Sequence, residues 1–271
     1  MGSSSCGIGC NVTITCKDLK GKTLYKVEKH NKVTKNFTDG ILRFLKGDFT
    51  ETEFNSTPIP SEAQIYTPTR VKFGVQGIKL EKTIIEEHGE DYVVKSFTPP
   101  DPSAFNNEEL NQEIPFDDDP YIDLFPIIKF ERMKQTYNTS VSDTERLSLS
   151  LYIGPGKTVG ATVSSEDGEV EEFKPYKHSY WSEYFGCYCA TFSEVGLYSS
   201  TGTLLARVAL DGDWMIVDAE GEEASEGTLI PREDSTDSVV YQNQFCTMTI
   251  EWRIDLTSIG SQDNVITENR T

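Results

Sequence analysis

Residues 192–210 read Phe-Ser-Glu-Val-Gly-Leu-Tyr-Ser-Ser-Thr-Gly-Thr-Leu-Leu-Ala-Arg-Val-Ala-Leu. Val195, Leu197, Leu204, Ala206, Val208 and Leu210 recur with period two, the spacing of a half-buried β-hairpin. Between the arms, Ser199-Ser200-Thr201-Gly202 suits a type I turn with glycine at its fourth position, where a positive φ is cheap. Folding there sets Glu194 across from Arg207, within about one residue of register, and predicts a cross-strand ion pair.

The same alternation continues on both sides of this hairpin. Residues 11–16 and 23–29 alternate polar and apolar around Asp18-Leu19-Lys20-Gly21, predicting a first hairpin. Phe37, Ile41, Phe44 and Leu45 fall on one helical face, so a short helix is expected at about 36–46. Thr34 or Asn36 would start it and Gly47 would end it. Gly40 weakens that helix by about 1 kcal/mol, so it needs a sheet to lie on. Val71, Phe73 and Val75 predict a strand that Ile78 and Leu80 extend. Residues 121–132 predict strand on either side of Pro126. Leu147, Leu149, Leu151 and Ile153 alternate cleanly, with residues 158–163 expected as the returning partner. Cys246, Met248, Ile250, Trp252 and Ile254 line one face of a closing strand over 239–254.

Irregular segments separate these elements. Pro99, Pro100, Pro102, Pro115 and Pro120 rule out a helix or central strand over 98–120, which reads as a long loop or an arm. Residues 218–237 read as an acidic loop, residues 1–10 as a flexible segment and residues 259–271 as a polar tail. The fold expected is mainly β: an antiparallel β-sandwich with one short flanking helix and long loops. It forms a single domain over 11–258 with insertions at about 82–120 and 218–237.

Composition narrows the function classes. The 271 residues carry a net charge of −19 with Lys and Arg scattered, which disfavours a nucleic-acid grip. No apolar run approaches the ~20 residues of a membrane helix, and no basic-then-apolar leader opens the chain, so a soluble protein made in a cytoplasm is expected. The Asn-x-Ser/Thr sequons at Asn11, Asn36, Asn55, Asn138 and Asn269 then read as ordinary polar positions. None of the six cysteines forms a Cys-x-x-Cys knuckle. Cys187 and Cys189 share a strand face as buried thiols, and Cys246 stands alone.

Motifs that could carry chemistry each meet a simpler reading. Gly154-Pro155-Gly156-Lys157-Thr158 suggests a phosphate loop, but Leu151 stands where that loop needs glycine and β-like residues follow, so a hairpin turn is expected. His30, His88 and His178 show no metal-ligand spacing, and no Gly-x-Ser-x-Gly elbow is present, so no catalytic residues, cofactor or metal are assigned. Asp117-Asp118-Asp119 and the Asp211/Asp213 pair lack EF-hand order and read as solvated charge. The aromatic run 176–188 offers Tyr180, Trp181 and Tyr184 as candidate partner-facing residues.

Four stretches together resemble structural proteins of tailed-bacteriophage particles. They are His30-Asn-Lys-Val-Thr-Lys-Asn-Phe-Thr-Asp-Gly-Ile-Leu-Arg-Phe-Leu, Pro68-Thr-Arg-Val-Lys-Phe-Gly, the pair Ser193-Glu-Val-Gly-Leu-Tyr and Gly202-Thr-Leu-Leu-Ala-Arg-Val, and Glu251-Trp-Arg-Ile. They occur in the family's order and frame residues 28–255; the long middle (82–180) and the acidic stretch 218–237 depart from it. The resemblance implies a non-enzymatic virion component, tail- or neck-associated and assembled in the host bacterial cytoplasm. It would oligomerise with copies of itself and other virion proteins through β-rich interfaces and extended arms, without nucleic-acid or membrane partners. The alternatives are a capsid decoration protein on the head exterior, or a tail-tip module that binds host glycans through Tyr180, Trp181 and Tyr184.

Overall fold

The alternation at both ends of the chain produces one long seam. In the computed structural model, strand β1 (Ser5–Asp18) runs antiparallel to the last strand, Cys246–Ser261, along its whole length. Val12 faces Trp252, Ile14 faces Ile250 and Cys16 faces Met248, all fully buried. The structure describes residues 5–30, 32–45, 68–86, 88–101, 110, 122–123, 129–137, 140–164, 171–232 and 239–261.

After β1 come β2 (Thr23–His30), β3 (Lys32–Val33), helix α1 (Lys35–Leu45), β4 (Pro68–Gly74), β5 (Ile78–Ile85) and β6 (Gly89–Phe97). Next are β7 (Ile122–Asp123), β8 (Lys129–Tyr137), β9 (Ser140–Ile153), β10 (Gly160–Ser164), β11 (Glu171–Pro175), β12 (Tyr180–Ser182) and β13 (Cys187–Phe192). The chain continues with β14 (Glu194–Ser199), β15 (Leu204–Ala209), β16 (Trp214–Val217), β17 (Thr228–Pro231), β18 (Val240–Asn243) and β19 (Cys246–Ser261). Strands dominate, every pairing is antiparallel, and α1 is the only helix among the described residues, as the composition and periodicity predict.

Two five-stranded sheets face each other. The first has the order β2-β1-β19-β9-β8 and the second β3-β15-β14-β4-β7. Their inward residues form one core: Val12, Ile14, Leu149, Ile250 and Trp252 from the first meet Val71, Phe73, Val195, Leu197 and Val208 from the second. A three-stranded sheet, β12-β13-β18, continues from the second sheet. Only Ser193 separates β13 from β14, so a single run of chain changes sheets there. Its amide binds the Gly74 carbonyl at 2.9 Å and its carbonyl accepts from Leu210 N–H at 2.8 Å. Behind this corner the β5–β6 and β16–β17 hairpins close a second core around Val94, Phe97, Tyr180, Cys189, Ile216 and Leu229.

The central hairpin turns as its sequence predicts. Gly202 has φ +85° and its N–H reaches the Ser199 carbonyl at 3.1 Å. It is not half-buried, however: every residue of β14 and β15 is buried. One face meets the core between the sheets. On the other, Leu110 packs on Tyr198 and Leu204, and its N–H donates to the Tyr198 hydroxyl at 3.1 Å. The rest of the proline-rich stretch beyond 101 lies outside the described residues, as do Asp117-Asp118-Asp119 and Gly47. The helix is tied to the same hairpin: the Thr34 hydroxyl donates toward the Leu204 and Leu205 carbonyls at 2.8 and 2.9 Å, while the Thr34 carbonyl accepts from Thr38 N–H at 3.4 Å.

Several boundaries differ from the sequence reading because pairing at long range decides them. Residues 5–10 are strand, held by 254–259 of β19, where a flexible segment is expected. Ile78 and Leu80 belong to the separate hairpin β5–β6, because Gly77 at φ +80° breaks the run after β4. β10 pairs with β11, while β9 pairs with β8 and β19, so the 154–158 turn is not a hairpin turn. The acidic 218–237 stretch contains β17, and the closing strand is two strands, β18 and β19, in different sheets.

Candidate functional site

Glu194 and Arg207 meet at the centre of the second sheet. The register sets Glu194 opposite Ala209 and Arg207 opposite Gly196, and the diagonal brings Arg207 Nη2 to Glu194 Oε1 at 2.5 Å. Both side chains are fully buried, which makes this a desolvated ion pair inside a β-sheet.

A second polar cluster lies where β5–β6 crosses β12 and β13. His88 stacks flat on Trp181, with ring centroids 3.7 Å apart and planes at 8°. His88 Nε2 lies 3.0 Å from both Asp91 Oδ2 and the Tyr188 hydroxyl, and that hydroxyl donates to Asp91 Oδ2 at 2.6 Å. Burial pushes the Tyr188 phenol up, and hydrogen bonding and charge repulsion from Asp91 add to it, so it stays a donor at neutral pH. Tyr188 also meets the Trp181 ring edge-on at 5.2 Å. Two rings thus hold one indole in place, and Asp91 ties them together.

Trp181 borders a cavity of about 160 Å³ between these hairpins. Its walls include Ile84, Ile85 and Val93 on one side and Glu183, Asp218 and Glu226 on the other. Two of the carboxylates already hold structure. Asp218 Oδ1 accepts from the amides of Glu220 and Glu222 at 3.1 and 2.9 Å, and Glu226 pairs with Lys95 at 2.8 Å. The cluster packs and orients side chains: the polar atoms of His88, Asp91 and Tyr188 bond one another.

The three candidate partner-facing aromatics do not form one patch. Tyr180 is 1% exposed, sits in the second core and hydrogen-bonds Thr191 Oγ1 at 2.8 Å, so it is a core residue. Strand alternation sends Trp181 to the opposite face, where His88 covers its ring. Tyr184, 41% exposed, lies in the turn after β12 against Phe185. A stacking platform made from all three is therefore excluded by the pleat.

The cysteines also regroup. Cys246 is not alone: its thiol accepts from the Asn243 amide at 3.1 Å, and Cys16 on the neighbouring strand acts on it, with Cys187, Cys189, Tyr25 and Tyr241 close by. The Cys16 thiol is pushed up by Cys246 and by burial. Among the described residues no three His, Cys, Asp or Glu side chains converge as a metal site. Thr158, from the apparent phosphate loop, is fully buried and bound to Gln242 Oε1 at 2.6 Å. His178 donates to the Thr158 carbonyl at 2.7 Å, and burial lowers its pKa to about 4. Asp211 pairs with Lys29 at 2.6 Å.

Asp91, His88 and Tyr188 carry no sequence signal as a group, since a hundred residues separate His88 from Tyr188. Among the described residues no helix is long and apolar enough to cross a membrane. No protein-family profile, curated protein or solved structure matches this chain.

Proposed function

We propose that this chain is a non-enzymatic structural component of a tailed-phage particle, tail- or neck-associated, acting by repeated packing with copies of itself and other virion proteins. One observation carries the reading. The stretches that resemble such proteins are far apart in sequence but adjacent in space. Residues 30–45 supply β3 and α1, residues 68–74 supply β4, and residues 193–208 supply β14 and β15, so that β3-β15-β14-β4 are consecutive neighbours. The fourth stretch places Trp252 in the shared core opposite this sheet. The stretch that departs from the resemblance, 82–180, supplies β6, β8 and β10–β11, and also β7, which extends the same sheet beyond β4, and β9, which adds Leu149, Leu151 and Ile153 to the shared core. Three of the four stretches thus fall in one sheet and its helix, and the fourth packs against it across the core.

The test is mass spectrometry of density-purified particles from the source lysate, with immunogold labelling to locate the chain. Stoichiometric presence at the tail or neck is expected, and labelling on the head exterior would favour a decoration role. Absence from particles while the protein is abundant in the lysate would overturn the proposal.

A further inference from the structure

Strand β2 is an edge of the first sheet: among the described residues, only β1 pairs with it. Exposed edges of this kind recruit other strands unless something blocks them. This edge is firmly held. The Tyr25 hydroxyl is bonded to the Tyr241 carbonyl and accepts from the Tyr241 amide at 3.0 Å, while Lys29 is paired with Asp211 at 2.6 Å. A bulge at Leu24 interrupts the ladder at one end, and the strand ends at His30, which leaves residues 25–29 as a regular segment centred on Val27.

On its outward face the segment carries Lys26 and Glu28, both about half exposed and paired with each other. Their neighbours on that face are Thr15 and Thr13 of β1, with Glu251 and Arg253 on β19 beyond; Arg253 also acts on Glu28. Two copies of β2 pairing antiparallel must match the pleat, so the two-fold axis falls on a residue. Centred on Lys26 or Glu28, the pairing sets like charges opposite. Centred on Val27, it sets each Lys26 opposite the other copy's Glu28, and the four charges alternate in sign.

We infer that β2 is a self-recognition edge: two copies of this chain pair antiparallel through residues 25–29 about Val27, joining their first sheets into one. The inference locates self-association within the proposed assembly, but it rests on the geometry of β2 alone. It holds or fails independently of where the protein resides. Lys26 and Glu28 then serve two purposes, rejecting other strands and allowing one register.

Sedimentation equilibrium over a concentration series, to millimolar protein, tests this with K26E and E28K. The wild-type chain should dimerise and go no further. Each variant alone opposes like charges twice and should weaken the dimer about tenfold or more. An equal mixture of the two variants restores both opposite-charge pairs and should form the heterodimer. Loss of stability in either variant cannot imitate that recovery. A monomeric wild-type chain, a larger polymer, a dimer indifferent to both substitutions, or a mixture no tighter than its parts would each overturn the inference.

Discussion

Replacing Arg207 with Met tests what the central hairpin rests on. Glu194 and Arg207 are both fully buried, and their contact bridges β14 and β15 where both faces of the hairpin are covered. Met keeps most of the arginine's buried apolar volume, so the main loss is the counter-charge. Removing one partner of a buried pair costs about 3–5 kcal/mol, because the remaining carboxylate loses the Arg207 counter-charge in a desolvated setting. Urea denaturation at neutral pH should show that loss for R207M. The double variant E194M/R207M removes both charges and should recover most of the loss, since well-packed apolar replacements of buried pairs are often neutral or stabilising. A loss below about 1 kcal/mol for R207M would refute the reasoning. So would a double variant no more stable than R207M, which would mean that the pair contributes net stability beyond its own desolvation.

Two further predictions use other buried features. His178 is held neutral, with its pKa lowered to about 4, while the unfolded chain takes up this proton near pH 6.5. The stability is therefore complete above about pH 6.5 and is lost as pH falls toward the folded value, by about 2 kcal/mol between pH 7 and pH 5. H178Q keeps a donor for the Thr158 carbonyl and should flatten that part of the pH profile in urea titrations; parallel profiles would refute it. Gly77 and Gly21 both have positive φ, but a Cβ on Gly77 would sit 1.8 Å from the Thr98 carbonyl oxygen, while one on Gly21 meets open space. G77A should cost at least about 2 kcal/mol and G21A about 1 kcal/mol in thermal or urea unfolding, and equal losses would refute the close-approach argument.

Local chemistry was legible in the sequence. Period-two alternation is a property of each strand by itself, so the class, the central hairpin, its Ser199–Gly202 turn and the inward face from Cys246 to Ile254 could be read directly. The Glu194–Arg207 contact was legible although its register was not: an irregularity at Leu197/Tyr198 sets Glu194 opposite Ala209, two residues from Arg207, and the pair meets along the diagonal. Helix position followed from the apolar spacing of Phe37 and its neighbours, and Phe37 does pack against the main core.

Partner choice was not legible, because alternation says that a strand has a buried face and not what lies against it. Nothing local to β9 selects β19 over β10, and nothing in residues 5–10 announces that 254–259 will hold them. The same gap hid the candidate site: Trp181 acquires its role from His88 stacked on it, and Cys246 its neighbour from strand register. The sequence by itself determined which segments are strands and which faces are apolar, since those depend on residues two apart. Tertiary structure alone decided that the hairpin is covered on both faces, that Tyr180 is core, and that β3, β15, β14 and β4 are neighbours in one sheet. Those outcomes depend on contacts between residues far apart in the chain, whose pairing is set by the packing of the whole.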